Sequence, residues 1–406
     1  MIISINTIKR YFWIILLATF TLWSNQLPGI KLPGLGTMFP LRILAILFGL
    51  LFLTQRTHYP LYSRTEVKLL ILLIYGIISL IWCIDLNTGI STVIIYVTSI
   101  FTVFTTFMVI KDEHEIIAIC RAISINAIII GAMGIFESAT GRYFLSTKER
   151  YEYSWVVNAL GWKYPHSIFY NTNDFATFMV AMVPIFCISV KDFKFKQIFQ
   201  YAGLAFCTFC VLLTNSRLCL ILSICYFIWL LPKRNIKGIA AGILTIILAV
   251  FVFARYWNLF SKNFMDIINI SFGDEDRIQI WANCLANTFR TWTFGVGIGN
   301  SLIANSMNTY FNTGGVYNAH NYFLEIFEEF GLCGLICFVS WITTIIRQLR
   351  TCKNGDTGKY LLSFVILYIF LTICSSSIRQ AYYFWLLLAL CIVYVTCQSR
   401  TDGKGE

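Results

Sequence analysis

Twelve apolar runs, each of about the length needed to cross the hydrocarbon core of a bilayer as a helix, punctuate this chain at 11–27, 38–54, 67–84, 90–110, 115–137, 173–190, 197–214, 215–231, 236–254, 319–346, 359–375 and 380–397. Backbone groups surrounded by hydrocarbon must be satisfied within their own segment, so these runs predict helices. Most links between them are short. Two are not, 138–172 and 255–318, and long links in a compact bundle are where function concentrates. The expected layout is therefore five spans within 1–137, a first large loop at 138–172, four spans within 173–254, a second large loop at 255–318, and three spans with a tail within 319–406. This is an all-α polytopic membrane protein of about twelve transmembrane helices with a long, partly helical extracytoplasmic loop.

Composition agrees, with 58% apolar residues and a formal charge of +11 at a mean hydropathy of +0.71. The basic residues mark sidedness. Lys9 and Arg10, Arg56 and Arg64, Lys111, Lys191, Lys194 and Lys196, Lys233, Arg234 and Lys237, Arg347, Arg350, Lys353 and Lys359, and Arg400 and Lys404 all fall on one face if the spans alternate. Positively charged loops stay cytoplasmic, so both termini are expected there. Lys9 and Arg10 flank a first span without a small-residue cleavage site, which reads as a retained helix. The positive charge is then a topology signal and an attraction to anionic headgroups. No basic stretch interleaves with exposed aromatics as nucleic-acid binding requires.

The two large loops should lie outside. The first carries Arg142, Lys148, Arg150 and Lys163 among Tyr143, Tyr151, Tyr153, Trp155 and Trp162, either an interfacial aromatic belt or a surface for sugar rings. In the second, Asp274-Glu275-Asp276 precedes Arg277, and Ile278, Trp281 and Leu285 recur at helical spacing. Acidic residues favour a helix start, so an amphipathic helix with Arg277 in its first turn is predicted. Arg277 either pairs with that acidic cluster or faces a ligand. Gly295-Val296-Gly297-Ile298-Gly299 lacks the strand and acidic partner of a dinucleotide loop; its glycines predict a tight turn back against the bundle.

Three further polar groups fall on the outer side. Arg217, in Thr214-Asn215-Ser216-Arg217, tips the hairpin between the seventh and eighth spans, and Arg379 lies between the last two. Each either snorkels or offers a bidentate fork to phosphate. His320, in Asn318-Ala319-His320-Asn321, opens the tenth span and is either a bonded helix-start residue or a general base. Asn321, Glu325 and Glu328 share one helix face, with Glu325 about 7.5 Å below His320 along the axis; carboxylates at this depth face protein or a wet cavity, so Glu325, Glu328 and Glu329 either orient a base or a sugar hydroxyl or pair structurally with Arg217 or Arg379. Cys207 and Cys210 form C-x-x-C inside an apolar helix and read as small buried residues. Metal-ligand spacing is lacking, so neither a metal nor another cofactor is expected.

These residues carry a resemblance. The Thr-x-Ser-Arg tip, Arg277-x-x-x-Trp281 followed by Phe294-Gly295-Val296-Gly297-x-Gly299, His320-Asn321-x-x-Leu324 with Gly331-x-x-Gly334, and the Asn-rich start Phe169-Tyr170-Asn171-Thr172-Asn173-Asp174 together resemble the O-antigen ligase and polymerase superfamily over roughly 170–375. The resemblance implies a GT-C-like glycosyltransferase in the bacterial cytoplasmic (inner) membrane with an extracytoplasmic active site. It would act on a glycan attached to undecaprenyl pyrophosphate and transfer it to a glycan or lipid A core acceptor. Arg217 and Arg277 would hold the pyrophosphate, and His320 would deprotonate the acceptor hydroxyl. Transfer would invert the anomeric centre without a metal, and Asn321, Glu325, Arg379 and Asn173 would support the site. A repeat-unit polymerase of the O-antigen, capsule or teichuronic kind shares the same motifs. The competing class is a lipid-linked oligosaccharide flippase or transporter, whose sites lie near the midplane in repeated halves; no internal repeat is visible here.

Overall fold

The computed structural model describes residues 5–24, 27–32, 36–54, 64–143, 164–214, 216–230, 274–308, 310–313, 315, 317–352, 355–375 and 378–402. Among them the chain is helical apart from one short hairpin. The helices are α1 (Ile5–Trp23), α2 (Pro40–Thr54), α3 (Arg64–Ser79), α4 (Leu86–Val109), α5 (Glu113–Thr140), α6 (Thr172–Ser189), α7 (Lys196–Thr214), α8 (Arg217–Leu230), α9 (Asp274–Arg290), α10 (Ser301–Met307), α11 (Tyr322–Thr351), α12 (Asp356–Leu371) and α13 (Tyr382–Asp402). Strands β1 (Ile30–Leu32) and β2 (Gly36–Met38) pair antiparallel between α1 and α2. Eleven of the twelve expected spans coincide with described helices; the run at 236–254 lies outside the described residues, as do 144–163 and 255–273 of the two large loops.

Six of the helices are long and apolar enough to cross a membrane: Leu86–Phe107, Glu113–Thr140, Thr172–Ser189, Lys196–Thr214, Tyr322–Thr351 and Tyr382–Ser399. The protein is thus a multi-pass membrane protein. Apolar side chains point outward along several helices, including Ile71, Ile74 and Ile78 on α3, Ile125, Ile128 and Ile129 on α5, and Ile221, Ile224 and Ile228 on α8. Such surface would be a liability in water and is ordinary against lipid tails.

Helix α6 sits at the centre. Its residues from Asp174 to Ser189 are all buried, as expected of a helix that is apolar on every side, and α5, α7 and α12 surround it. Helix α4 accommodates an unusual run of hydroxyls because Thr98, Ser99, Thr102, Thr105 and Thr106 each donate to the carbonyl four residues back, which satisfies them inside an apolar bundle.

Helix starts are fixed by side-chain caps. Asp85 accepts from the amides of Asn87 and Thr88, Asp112 from that of Glu115, Asn171 from that of Asp174, and Asn321 from those of Phe323 and Leu324. These short polar acceptors satisfy amides that have no partner within the helix. The expected start of the tenth span therefore moves by three residues, from 319 to Tyr322, because Asn321 is spent on the cap. His320 precedes the helix, and the simple helical rise from His320 to Glu325 does not apply.

Helix α11 is broken. Gly331 adopts φ 64°, ψ −161° within it, a conformation open to glycine and strained for any residue with a Cβ. The break frees backbone groups that the glycine turn takes up: Val296 N donates to Glu328 O at 2.8 Å, Gly297 N to Glu329 O at 3.1 Å, and Leu332 N to Thr293 O at 2.9 Å. A Cβ on Gly331 would meet Thr293 O at 1.9 Å, and one on Gly295 would meet Glu329 O at 2.5 Å. The turn is anchored on its other side by α3, where Tyr75 Oη donates to Phe294 O at 2.9 Å and Ser79 Oγ accepts from Ile298 N at 3.0 Å. The expected turn against the bundle is present, and it fills the gap in a spanning helix.

Candidate active site

The starts of α6, α8 and α11 and the end of α12 meet at one end of the bundle. Tyr322 N donates to Thr372 O at 2.9 Å, Ser375 Oγ donates to Asp174 Oδ1, and Thr177 Oγ1 lies 3.8 Å from Cys219 Sγ. Backbone amides at helix starts carry partial positive charge, so a convergence of three such starts suits an anionic ligand.

Onto this end α9 brings Arg277. The acidic run expected to open the helix does so, since α9 begins at Asp274; the side chains of 274–276 are outside the described set. Trp281, one turn beyond Arg277, donates from Nε1 to Ala319 O at 2.8 Å, which ties α9 to the residue before His320. Asn283 clamps the chain on the way there. Its Oδ1 accepts from Tyr310 N at 3.0 Å and Phe311 N at 2.9 Å, and its Nδ2 donates to Phe311 O at 3.0 Å.

His320 is half-buried, with a left-handed backbone at φ 48°. A non-glycine residue held there marks a corner that the surrounding structure imposes. Asn318 Oδ1 accepts its amide at 3.2 Å, while its Nδ1 is enclosed without a hydrogen-bond partner among the described residues. Burial, reinforced by the nearby charge of Arg277, lowers its pKa from 6.5 to about 4. Desolvation disfavours the charged imidazolium and a neighbouring cation repels it, so this imidazole is neutral at pH 7. The same guanidinium acts on Cys374 in the connector after α12. Arg277, His320 and the α12–α13 connector therefore form one cluster. Arg217 opens α8 at this end and is exposed.

Beneath the cluster lies a buried network that joins four elements. Glu328 is fully buried; Asn287 Nδ2 donates to its Oε1 at 3.0 Å and Asn305 Nδ2 to its Oε2 at 3.1 Å. Asn305 Nδ2 also lies 3.2 Å from Tyr317 O, three residues before His320. Glu329 Oε1 accepts from Ser301 Oγ at 3.0 Å and from Arg379 Nη1 at 2.7 Å. Charge-assisted bonds of this kind are short and strong. Of the readings open for Arg379, namely snorkelling, phosphate binding and pairing with the glutamates at 325–329, the structure shows the pairing, an ion pair with buried Glu329.

The remaining expected residues sort as follows. Asn321 is the cap of α11. Glu325 is buried one turn further on. Asn173 is half-buried in the first turn of α6, whose cap is Asn171. Asn287, Asn305 and Arg42 were missed. Arg42 is buried at the start of α2 and donates from Nε to Tyr382 Oη at 3.2 Å and from Nη1 to Thr37 O at 2.6 Å. An arginine among apolar residues just after a link was a visible signal; the two asparagines carried none. Among the described residues no three His, Cys, Asp or Glu side chains converge as metal ligands would.

A multi-pass helical bundle with one polar end, built from helix starts, two arginines and a neutral histidine, defines the class. Residues 202–339, which include Arg217, Arg277 and His320, match the family described as O-antigen ligase. Over 99% of this chain and 88% of the relative, the sequence is 24% identical to the teichuronic acid biosynthesis protein TuaE of Bacillus subtilis (strain 168). These two matches support the resemblance to the O-antigen ligase and polymerase superfamily.

Proposed function

We propose that the protein transfers glycan from an undecaprenyl-pyrophosphate-linked donor at the outer face of the cytoplasmic membrane, with both termini cytoplasmic. The observation that carries this reading is the pairing of Arg277 with a neutral His320, whose pKa its burial and that arginine lower. A cation and an uncharged base side by side are what displacement of a pyrophosphate by a hydroxyl requires.

In this mechanism Arg217 and Arg277 bind the pyrophosphate and stabilise the charge that develops as it leaves. His320 accepts the proton of the acceptor hydroxyl. The acceptor oxygen forms its bond to the anomeric carbon as the bond from that carbon to the phosphate oxygen breaks. The lipid pyrophosphate departs with the electron pair, and attack from the opposite face inverts the configuration. Arg379, through Glu329, and Asn321, through the cap of α11, hold the neighbouring backbone in place.

Two reactions share this chemistry, repeat-unit polymerisation and ligation. The TuaE relative, aligned over nearly the whole chain and named for teichuronic acid biosynthesis, is compatible with either. The ligase reading, with a lipid A core or other acceptor, differs in product. Purified protein in lipid vesicles, given the lipid-linked repeat unit alone, should yield a ladder of lengthening chains. One-step transfer that needs a separate acceptor would make it a ligase; absence of product under both conditions would remove the transferase reading and favour a flippase.

A further inference from the structure

A small pocket opens between the end of α1, the start of α6 and the start of α13. Its polar lining includes Thr21, Ser24, Asp174, Ser375 and Gln380, and Tyr170 and Tyr382 also line it. The cavity is about 40 Å³, room for roughly three water-sized spheres. That is too small for a buried ligand and enough for the hydroxyl-bearing edge of one.

The chemistry of the lining selects the class. Asp174 is buried and carries the only acidic side chain of the lining, so a phosphate is repelled. Asp174 already accepts from Ser375 and Asn171, and Thr21 donates to Leu17 O at 2.6 Å, so what they offer a ligand is remaining acceptor capacity beside the amide of Gln380 and the hydroxyl of Ser24, a mixed set that suits neutral hydroxyls. Tyr170 lines the pocket and is 44% exposed, and an aromatic ring there can take the apolar face of a pyranose. Tyr382 is fixed by the bond that Arg42 donates to its hydroxyl at 3.2 Å, so that wall is rigid. The pocket also communicates with the reacting end. Its Asp174 bonds to Ser375, the residue after Cys374, on which Arg277 acts.

From this geometry we infer that the pocket is a carbohydrate subsite that takes the hydroxyls of one neutral sugar of the glycan, away from the anomeric carbon that reacts. This rests on the transferase reading for its ligand. Both the donor chain and the acceptor chain present such hydroxyls, and the experiment separates them.

The test uses full-length protein in phosphatidylglycerol nanodiscs, which carry no amine headgroup to compete for Asp174. The probe is the repeat-unit oligosaccharide released from its lipid by mild acid, with binding read by saturation-transfer NMR and folding by thermal melting. Ser24→Phe fills the pocket and Gln380→Ala removes its amide. The expected result is binding weakened well beyond tenfold in Ser24→Phe, which shuts the sugar out of the pocket, and by about tenfold in Gln380→Ala, the loss of about one well-made group to a sugar hydroxyl, in folded variants. If Ser24→Phe fails to fold, Thr21→Val, which keeps the shape, takes its place. A raised KM for the acceptor assigns the sugar to the growing or receiving chain, and a raised KM for the donor assigns it to the donor. Unchanged binding in folded variants overturns the subsite while leaving transfer intact; weakened binding in a protein without transfer keeps the subsite and removes the transferase reading instead.

Discussion

Trp281 Nε1 donates to the carbonyl of Ala319 at 2.8 Å across 38 residues of sequence, so the helix that carries Arg277 is bonded to the residue beside His320. This contact helps set the spacing of the two proposed reacting groups, beside the bonds of Asn283 and Asn287 from the same helix. Trp281→Phe keeps the ring and removes the donor. It should lower kcat about five- to tenfold, the equivalent of one hydrogen bond of about 1 kcal/mol, with KM for the donor and the melting temperature little changed. A steady-state series on the purified variant checks this.

The pH profile follows from the environment of His320. Its burial, and then the charge of Arg277, hold its pKa at about 4 against an ordinary 6.5. The neutral imidazole is the active base, so the acid limb of kcat/KM should fall near pH 4 rather than near 6.5. The sign for stability is the same. Between those two values the unfolded chain binds a proton that the folded chain does not, so stability is present above about pH 6.5 and is lost as the pH falls toward 4. Arg277→Gln should move the acid limb upward but short of 6.5, because burial remains. Rate and melting profiles from pH 4 to 8 for the two proteins test both statements.

Glu329 and Arg379 form a pair in which the carboxylate is almost wholly buried. Removing one partner leaves the other charge stranded, which costs about 3–5 kcal/mol in a buried site. Arg379→Ala alone should therefore lower the melting temperature more than the double variant Glu329→Gln with Arg379→Ala. A double-mutant cycle on melting and on transfer rate gives the coupling directly; a purely additive cycle would contradict it.

Gly331 holds the break in α11 at φ 64°, and an added Cβ would fall 1.9 Å from Thr293 O. Gly331→Ala should not yield a stable protein in detergent. Gly315, also at positive φ but with nothing within 4 Å of its Cβ, is the control: Gly315→Ala should carry only the backbone penalty of about 1 kcal/mol. Size-exclusion profiles of the two variants make the comparison.

Much of this architecture was legible from apolar run lengths. The boundaries of α5, α6 and α7 fall within a few residues of the hydrophobic pattern, because a helix in lipid is dictated locally by hydrocarbon thickness. The amphipathic α9 and its acidic start were legible for the same local reason. What the pattern left hidden was non-local. That α6 is central while α3 and α8 face outward depends on packing among helices of similar hydropathy. The break at Gly331 depends on a turn, Thr293 to Gly297, that supplies the missing hydrogen bonds from 32 to 39 residues away. Asn287 and Asn305 meet Glu328 across 41 and 23 residues, and no spacing rule announces such a meeting. A pairing of Arg379 with the carboxylates of 325–329 was legible as one alternative, but that Glu329 is the partner, 50 residues away, was not.

The central claim is that His320 is the base of a glycan transfer assisted by Arg277, and single-turnover transfer tests it most directly. Wild-type protein, His320→Ala and Arg277→Ala are each reconstituted in vesicles with an undecaprenyl-pyrophosphate repeat unit, and the products are resolved by size at matched melting temperature. The account predicts product in the wild type and a loss of about 10²-fold or more in His320→Ala, the usual contribution of a general base. Product formed at the wild-type rate by folded His320→Ala would contradict it.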